Sequence, residues 1–589
     1  MADETYYVSK STDNGYFIGN DGNGGESKTD AFLTLDAASD AAYATSGAIT
    51  IIINDGNYIG ADIDAANQYW IWPANPGFDS CLVRPENAGE VTIIAGVATS
   101  TVRMNNATGW DSSKSVEWRD LILGRLSTAE GGDDGNYGIW TLGGTGTAPS
   151  ITATRCEFRN MVFYGINVGA NGLANITFND CSYTINRITS RGMVYSPTHA
   201  AGKLTIDGAT INHSKWATNG SGVIYWDASV AGVQAEVKNV TANISINSTD
   251  VAVDSLMYGI FIANCPDALV EGCDLTFTQA ASGATWSING IRLFGNDAGL
   301  TAERQKIHNS TVRAYGWDAT TGAGGCITVG GDGGARQANV SDNSEIINCT
   351  AIGDATGVSN NLHGIFIVEN DSCEMYGNTA SFVDIGIMAK LSATTKVAGN
   401  LVKQCGLGGS SNVMYYNKGG TNDDFYNNTA IIDSDTDAVA FGAAIDGATN
   451  TTGAEFDNNY IYAEANALNQ LITINTNQTA TFDYNHYLIT GTLPATVFTY
   501  QATTYSTVAL WLAARETNGV EVDSEEDVFN SDYTLKKGAT GVGVSPNAGL
   551  TAKAVSFIGE PFAAFSIDIG GSQSIYGPFH PRQLNGVIR

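Results

Sequence analysis

Basic residues are scarce in this chain. Its 589 residues include 29 Lys and Arg against 60 Asp and Glu, so the formal net charge is −31 and the pI is near 4.3. Nucleic-acid binding is therefore not expected, because phosphate contacts need a basic surface. An anionic glycan would also be repelled unless a divalent cation or a local basic patch intervened. The simplest explanation of the charge is solubility in a salty medium.

Long apolar runs are missing as well. No stretch approaches the roughly 20 apolar residues that cross a bilayer, so an integral membrane protein is not expected. Residues 1–5 (MADET) carry neither the basic nor the apolar region of a secretory signal. A signal is therefore absent or was removed, and assembly in a cytoplasm is expected.

Paired cysteines and histidines are also lacking. The nine cysteines form no CxxC pair and sit mostly inside apolar strand patterns, which favours reduced, buried thiols over a disulfide framework. The six histidines include no pair at ligand spacing, so a zinc site is not expected.

Helical patterns are rare, and proline numbers only 11 against 68 glycines. Residues 30–44 have helical spacing, and the run 49–53 reads as a strand that ends in a turn. One globular core stops growing near ~250–300 residues, whereas a repeat protein can lengthen without thickening. Short β-rich runs, broken by Gly, Asn and Asp, then recur at residues 91–95, 115–123, 151–158, 176–178, 204–206, 237–240, 269–277 and 345–352.

Two repeated patterns favour a solenoid over an antiparallel sandwich. The first is a polar or aromatic residue followed by Gly-Ile, as in His363-Gly364-Ile365. The second is an apolar run followed by Asn, Gly or Asp beside Cys or Asn, as in Phe425-Tyr426-Asn427-Asn428. A strand, a sharp corner and another strand, repeated at about 20–30 residues, predict stacked coils. Asn at such a corner can adopt left-handed backbone angles and form an amide ladder with the next coil.

In these patterns the chain resembles the right-handed parallel β-helix proteins related to pectate lyases, over nearly its whole length. Residues 6–9, 19–25 and 31–35 resemble that family's N-terminal cap, and residues 51–58 resemble its first rung. Residues 482–485 (FDYN), 511–514 (WLAA) and 532–535 (DYTL) resemble its usual exit from the helix. The resemblance implies an all-β, single-stranded right-handed parallel β-helix with an N-terminal cap helix and a small C-terminal β-rich segment. The expected boundaries are 1–88 for the cap and first rungs, 89–495 for the helix and 496–589 for the C-terminal segment.

Catalytic candidates are few. Pectate-lyase-like members abstract a proton with a basic residue and use calcium, and polygalacturonase-like members use aspartates; neither ordered series of motifs is present. Asp332 and Arg336 place an acid and a base on a flexible loop. His363 precedes a Gly-Ile strand, where an outward imidazole could act as a general base, although a corner histidine that makes structural hydrogen bonds is the favoured interpretation.

A calcium site is the one metal site with any support. Asp433, Asp435 and Asp437 place oxygens at alternate positions, as in half of a calcium loop. The run lacks the following Gly and the distal Glu. No cofactor is therefore expected other than this calcium ion.

Tryptophans in the aromatic run 69–73, and tryptophans flanked by polar residues elsewhere, are the candidates for glycan contact. Exposed aromatic faces near Asp and Asn are a common platform for sugar rings. The alternative is that these side chains seal loops onto the helix or form subunit contacts. The candidates are Trp70, Trp72, Trp216, Trp226 and Trp317.

Three functions remain open. The favoured hypothesis is a non-enzymatic structural or glycan-binding virion component, such as a phage tail or capsid appendage, assembled in the host cytoplasm. Its partners would be a cell-surface glycan or other virion proteins, and a homotrimer is one possible assembly. The alternatives are a polysaccharide lyase or glycoside hydrolase, and a secreted bacterial adhesin.

Overall fold

The computed structural model describes most of the chain, and its contacts divide the protein into two compact units, Met1–Ala281 and Ser282–Arg589. The described residues are 3–72, 76–96, 100–104, 113–124, 138–141, 150–159, 164–168, 175–185, 192–199, 202–216, 221–228, 232–246, 255–279, 286–295, 303–316, 324–331, 341–354, 362–405, 413–432, 439–444, 449–464, 470–491, 496–522, 545–546 and 566–567.

Each circuit of the chain contributes one strand to each of three parallel sheets, named A, B and C in the order in which the chain visits them. In the N-terminal unit, Gly47–Ile53 lies in sheet A, Gly56–Ile59 in sheet B and Trp70–Trp72 in sheet C. The next strand, Phe78–Pro85, returns to sheet A and pairs in parallel with Gly47–Ile53. This arrangement is an all-β parallel β-helix, as the sequence predicts.

The strands of the N-terminal unit follow this order throughout. Sheet A contains Glu4–Val8, Gly47–Ile53, Phe78–Pro85, Ser115–Arg119, Ser150–Thr154, Asn175–Asn179, Lys203–Asp207, Gln234–Lys238 and Leu269–Glu271. Sheet B contains Gly56–Ile59, Val91–Ile94, Leu121–Gly124, Glu157–Arg159, Ser182–Ile185, Thr210–Trp216, Thr241–Ile246 and Asp274–Gln279. Sheet C contains Trp70–Trp72, Val102–Met104, Ile139–Thr141, Tyr164–Val168, Gly192–His199, Ser221–Ala228 and Ser255–Ala263.

The C-terminal unit repeats the same circuit. Sheet A contains Lys306–His308, Glu345–Ile347, Glu374–Tyr376, Lys396–Ala398, Asp424–Tyr426, Ala454–Asp457 and Ala480–Asp483. Sheet B contains Thr311–Tyr315, Thr350–Ile352, Thr379–Ser381, Leu401–Lys403, Thr429–Ile432, Tyr460–Glu464, His486–Thr490 and Val520–Val522. Sheet C contains Trp286–Phe294, Gly324–Gly330, Leu362–Val368, Ile385–Lys390, Val413–Lys418, Val439–Ala444, Ile472–Ile474, Phe498–Tyr500 and Thr503–Tyr505, the last of which is antiparallel to its neighbour. Ser545–Pro546 and Ser566–Ile567 form a separate antiparallel pair.

The coils differ in length more than the sequence repeat indicates. Within the C-terminal unit, stacked residues are separated by as few as 22 positions, from Asn378 to Asn400, and by as many as 39, from Gln305 to Ser344. The expected range of about 20–30 residues is therefore too narrow. The extra residues lie between strands, where a solenoid accepts insertions without disturbing its stacked core.

At the corner between sheets A and B, two adjacent residues have different roles: one makes the bend and the other forms hydrogen bonds inside the stack. Asn427 has φ 51 and makes the sharp bend, because Asn tolerates the left-handed region better than most residues. Asn428 follows it and is fully buried, with its side chain bonded inside the stack. The corner predicted from the sequence is confirmed, with the bend and the ladder assigned to neighbouring positions.

The ladder in the C-terminal unit is formed by side-chain amides. Each Nδ2 group donates to the Oδ1 atom of the asparagine one coil later, over distances of 2.9 to 3.1 Å. Each Oδ1 atom also accepts a backbone N–H, so the buried amides are satisfied. The members are Asn378, Asn400, Asn428, Asn459 and Asn485.

Cysteine occupies the same corner position in several earlier coils. Cys156 and Cys181 each follow a residue with positive φ, Arg155 and Asp180. Their thiols donate to carbonyl oxygens of the preceding coil. All nine cysteines are free and buried, which confirms the prediction of reduced thiols inside the rungs.

Two helices lie beside the outermost strands. In the N-terminal unit, α1 (Leu35–Ala44) begins after Thr34, whose hydroxyl accepts the N–H of Ala37, so the helix is shorter than the predicted 30–44. In the C-terminal unit, α2 (Val508–Arg515) buries Trp511, whose ring stacks on Phe498 at 5.0 Å. Short 3₁₀ turns occur at Asp13–Gly15 and Gly60–Asp62.

Candidate binding site

The outer face of sheet C in the C-terminal unit carries the candidate site. Side chains alternate between the two faces of a strand. Ile327, Ile365 and Ile387 stack in register and are fully buried in the core. Their neighbours Phe366 and Met388 stack in register on the opposite, outer face.

This outer face contains a cleft with a volume of about 330 Å³. That volume is near the lower end of the ~300–1,000 Å³ typical of small-molecule sites. The residues that line the cleft include a glycine-rich rung, an apolar floor and a set of cations. They are Asn289, Arg292, Gly324, Gly325, Thr328, Gly331, His363, Phe366, Val368, Ile385, Met388, Lys390, Tyr416 and Lys418.

One strand with small residues on its outer face makes room for the cleft. Gly324–Gly330 presents Gly325, Thr328 and Gly330 at the register positions that carry larger residues on the next strand. Gly330 has φ +118, and a Cβ there would lie 1.9 Å from the carbonyl oxygen of Val368. Glycine is therefore required at this position for both conformation and space.

The floor of the cleft is a packed apolar cluster. Phe366, Val368, Ile385 and Met388 are each less than a tenth exposed, and the partly buried Tyr416 packs against them. The ring of His363 lies 4.6 Å from that of Phe366. A floor of this kind offers apolar and aromatic contacts, while the hydroxyl, amide and charged groups above it offer hydrogen bonds.

Three basic side chains line the cleft together with this apolar floor. Lys390 and Lys418 occupy the same register position on adjacent strands. Arg292 lies opposite Thr328, and one guanidinium nitrogen donates to the carbonyl oxygen of Gly331 at 3.1 Å. The same guanidinium lies over the ring of Phe294, 4.5 Å from its centre. The stacked, hydrogen-bonded arginine is held in one orientation.

This environment changes the pKa of the His363 imidazole. Burial, followed by the positive charges of Lys418 and Lys390, lowers the pKa of His363 to about 3. The side chain is therefore neutral at neutral pH. A base with so low a pKa is poorly matched to proton abstraction near pH 7.

In the N-terminal unit, the outer face of sheet C carries an aromatic row. Tyr195, Tyr225 and Phe261 lie in register on successive strands. Their ring centres are 5.3 and 4.7 Å apart, and Tyr258 lies 4.4 Å from Phe261. Burial raises the pKa of Tyr225, so its phenol stays protonated.

Three of the five tryptophan candidates are core residues, and the side chains of the other two lie outside the described residues. Trp70, Trp72 and Trp226 are fully buried, so they are core residues and not a surface platform. Alternation explains this correction for Trp226, which points inward like Ile224, while its neighbour Tyr225 points outward. Trp216 ends the strand Thr210–Trp216, but its side chain lies outside the described residues, as does all of Trp317.

Most other sequence candidates also fall outside the described residues. These are Asp332, Arg336, Asp433, Asp435 and Asp437. Within the described ranges, no group of three or more His, Cys, Asp or Glu side chains is arranged to hold a metal ion. Nor does any helix in those ranges combine the length and apolar character needed to span a membrane.

Sequence reasoning placed Lys390 on a coil near His363 but missed Arg292 and Lys418, which line the same cleft. Aligning the Gly-Ile patterns would have placed Arg292, Phe366 and Met388 in one outward row, because each follows the inward isoleucine. The positions of Lys390 and Lys418 follow only from the strand register.

No protein-family model and no curated protein sequence matches this chain. Solved structures do match it. The A-module of a mannuronan C-5 epimerase of Azotobacter vinelandii is 14% identical over 76% of this chain and 94% of its own, with a TM-score of 0.34. Tailspike protein 3 of bacteriophage CBA120 is 12% identical over 89% of this chain and 69% of its own, with a TM-score of 0.37.

A mannuronic acid specific family 6 polysaccharide lyase from human gut microbiota is 11% identical over 89% of this chain and 92% of its own, with a TM-score of 0.36. The chain is a parallel β-helix protein. At identities this low, the likeness to these structures is one of fold alone.

Proposed function

We propose that this β-helix protein is a non-enzymatic glycan-binding protein that holds a polysaccharide on the outer face of sheet C in its C-terminal unit. The observation that carries the proposal is the cleft of about 330 Å³, whose apolar floor lies beside hydrogen-bonding side chains. A sugar ring has an apolar face and a polar rim, and such a cleft offers partners to both.

The shape of the site suits a chain molecule. Strands in a sheet lie about 4.8 Å apart, so contacts repeat at short intervals along the stacking direction. The outer row Arg292, Thr328, Phe366, Met388 and Tyr416 runs across five successive strands of sheet C. A polysaccharide lying along this row would contact several strands at once.

Binding without turnover agrees with the chemistry of the cleft. Its lining includes no aspartate or glutamate among the described residues, so a two-carboxylate hydrolase site has no counterpart there. The neutral His363, with a pKa of about 3, is a weak general base.

A polysaccharide lyase is the second candidate, supported by one observation. Tyr416 lies in the same cleft as Lys390, Lys418 and Arg292, and these are the types of side chain that an elimination next to a carboxylate would use. Prolonged incubation with acidic polysaccharides tests this candidate. A rise in the ultraviolet absorbance of the unsaturated product would replace the binding proposal with the lyase.

The biological setting we propose is a virion, in which the chain is a phage tail or capsid appendage, with a homotrimer as its assembly. Nine buried, unpaired thiols agree with folding in a reducing compartment, where disulfides are rare. Sedimentation of the full chain tests the assembly. A species of three chains is expected, and a monomer at all concentrations would count against it.

Binding is tested with a panel of oligosaccharides and a matched pair of tyrosine variants. Tyr416→Ala removes the aromatic group at the cleft and should weaken glycan binding about tenfold or more, as aromatic contacts at binding sites often do. Tyr315→Ala removes an outward tyrosine of sheet B that is 37% exposed and outside the cleft, and should leave binding unchanged. Equal binding by both variants would contradict the proposal.

A further inference from the structure

The outer face of sheet B differs between the two units. In the N-terminal unit its outward positions are polar and exposed, as at Thr210 and Asn212 and at their partners Thr241 and Asn243 on the next strand. In the last coils of the C-terminal unit, the outward positions are mostly apolar or aromatic. The six residues of this apolar patch are Leu401, Ile431, Tyr460, Tyr462, Leu488 and Val522.

Strand alternation places the patch outside the helix. Val402, Ala430, Ile461 and Tyr487 stack in register and are buried in the core. The ring of Tyr487 lies 5.7 Å from that of Phe498, a buried residue of sheet C. The side chains that precede and follow these inward residues point to the opposite face of the sheet.

The patch is buried although it points outward. Every member is less than a tenth exposed, and Tyr460 and Leu488 are fully buried. An outward side chain cannot reach the core, so its burial requires a cover from another part of the protein. This burial is reached within one chain, so a second copy is not needed to explain it.

His486 lies on the same face and reports the same cover. Its imidazole is on the strand His486–Thr490, next to the inward Tyr487, and is 2% exposed. Burial lowers the pKa of His486 to about 4, from an ordinary value of 6.5. An outward imidazole in contact with water would keep a pKa near 6.5.

The C-terminal segment, residues 523–589, is well placed to form this cover. It follows directly on Val520–Val522, the last strand of sheet B, so it starts beside the patch. The connections that leave these strands toward sheet C, residues 406–412, 433–438 and 465–469, have five to seven residues and are fixed at both ends to one coil. The patch extends over five strands, or about 19 Å, which a long segment fixed at one end can follow.

The composition of the C-terminal segment also suits an apolar surface. Of the 60 acidic residues of the chain, only Glu560 and Asp568 lie within residues 538–589. Packing of aromatic rings against the patch would remove apolar area of both surfaces from water. The segment contains five phenylalanines, Phe529, Phe557, Phe562, Phe565 and Phe579.

We propose that the apolar patch on sheet B is an intramolecular docking surface, and that the C-terminal segment of the same chain packs on it. The interaction is separate from the glycan cleft on sheet C. A large apolar patch left open is a site of association with other proteins. The docked segment therefore closes this face of the last coils and keeps it from associating with other chains.

Photo-crosslinking of the full chain tests which part of the protein covers the patch. A benzoylphenylalanine is placed at position 462 and, as a control, at position 315, where the native tyrosine is an outward residue of sheet B that is 37% exposed. Mixed light and heavy isotope chains distinguish links within a chain from links between chains. We expect position 462 to link to residues 523–589 of its own chain, and position 315 not to do so. Links from position 462 only to the connections 406–412, 433–438 or 465–469, or only between light and heavy chains, would overturn the proposal.

Limited proteolysis measures whether the patch holds the segment. Leu488→Gln places an amide without a partner in the covered face, and Thr350→Gln is the control at an outward, partly exposed position of the same sheet. We expect cleavage after residue 522 to become about tenfold faster in Leu488→Gln, relative to cleavage within the coils, since the amide weakens docking. Thr350→Gln should be cleaved like the native chain. Equal cleavage of both variants would contradict the proposal.

A titration of the native chain gives an independent readout. In nuclear magnetic resonance, the signal of His486 is identified by its loss in His486→Gln. A pKa well below 6.5 is expected if the face is covered. A pKa near 6.5 would show that water reaches this face, and the docking proposal would then be wrong.

Discussion

The side-chain amide of Asn485 donates to Oε2 of Glu516 at 3.2 Å, and this contact ends the asparagine ladder of the C-terminal unit. Asn459 donates to Asn485 at 3.0 Å, so the acceptor that follows in the series is a carboxyl group in place of another amide. Glu516 also accepts the indole N–H of Trp511 at 2.6 Å and the hydroxyl of Tyr487. Burial raises the pKa of Glu516 to about 7.

Replacing Glu516 with Gln should remove one source of pH dependence. Because the folded pKa of about 7 lies above the ordinary 4.5, the folded state holds the proton more tightly. Stability from this group is therefore present below about pH 4.5 and is lost as the pH rises to about 7, a change on the order of 3 kcal/mol. We expect Glu516→Gln to show a flatter dependence of Tm on pH over that window.

Asp36 and Asp423 also have pKa values raised to about 7, but both remain in the variant and do not involve Glu516. The difference between the two proteins therefore reports on Glu516, together with Asp457, whose pKa the charge of Glu516 helps to raise. Scanning calorimetry at several pH values measures it. Parallel curves for the native chain and Glu516→Gln would show that the carboxyl group has no such role.

Removing one member of the asparagine ladder should lower the stability of the folded protein. Asn428 donates to the carbonyl oxygen of Val397 at 2.9 Å and to Asn459 at 3.1 Å, and it accepts from Asn400 at 2.9 Å. Asn428→Ala leaves these buried groups without their partner, at about 1–3 kcal/mol for each group. We expect a large fall in Tm.

The neighbouring Asn427 provides the control. It has φ 51, a conformation that glycine adopts without strain, so Asn427→Gly should change stability by less than about 1 kcal/mol. Thermal unfolding of both variants measures the contrast. A similar loss in each would mean that the corner, and not the ladder, determines stability here.

The nine thiols should be unreactive toward thiol reagents in the native protein. All are buried, and burial raises the pKa of Cys81, Cys156 and Cys373, so formation of the reactive thiolate is suppressed and the sulfur atoms are shielded from reagents. Titration with a thiol reagent should detect few groups before unfolding and nine afterwards. Fewer than nine in the denatured, unreduced chain would reveal a disulfide.

The glycine-rich rung predicts different results at two glycines of one strand. Gly330→Ala places a Cβ 1.9 Å from a backbone oxygen at φ +118, so at least about 1–3 kcal/mol of strain is expected. Gly325→Ala meets only the hydroxyl of Thr328, at 2.6 Å, and that side chain can rotate away. We expect a lower Tm for the first variant alone, and weaker glycan binding with a normal Tm for the second. Loss of stability in both would mean that the rung is needed for folding and not for the cleft.

The sequence by itself determined the architecture. Apolar alternation with period two, interrupted by a corner such as Asn427-Asn428, specifies a strand, a bend and a strand wherever it recurs. The burial of the cysteines followed from the same local pattern. These features depend on neighbours in the chain, so they can be read without knowing which coil lies beside which.

Only the tertiary structure decided which residues meet on the outer face. In the C-terminal unit the coils vary from 22 to 39 residues, so the register of one coil on the next cannot be found by counting residues. Lys390 and Lys418 become neighbours through strand pairing, and Trp226 proves to be a core residue because its strand turns that side inward. A shift of one residue would exchange the two faces of a strand, so the binding surface depends on a register that long-range packing sets.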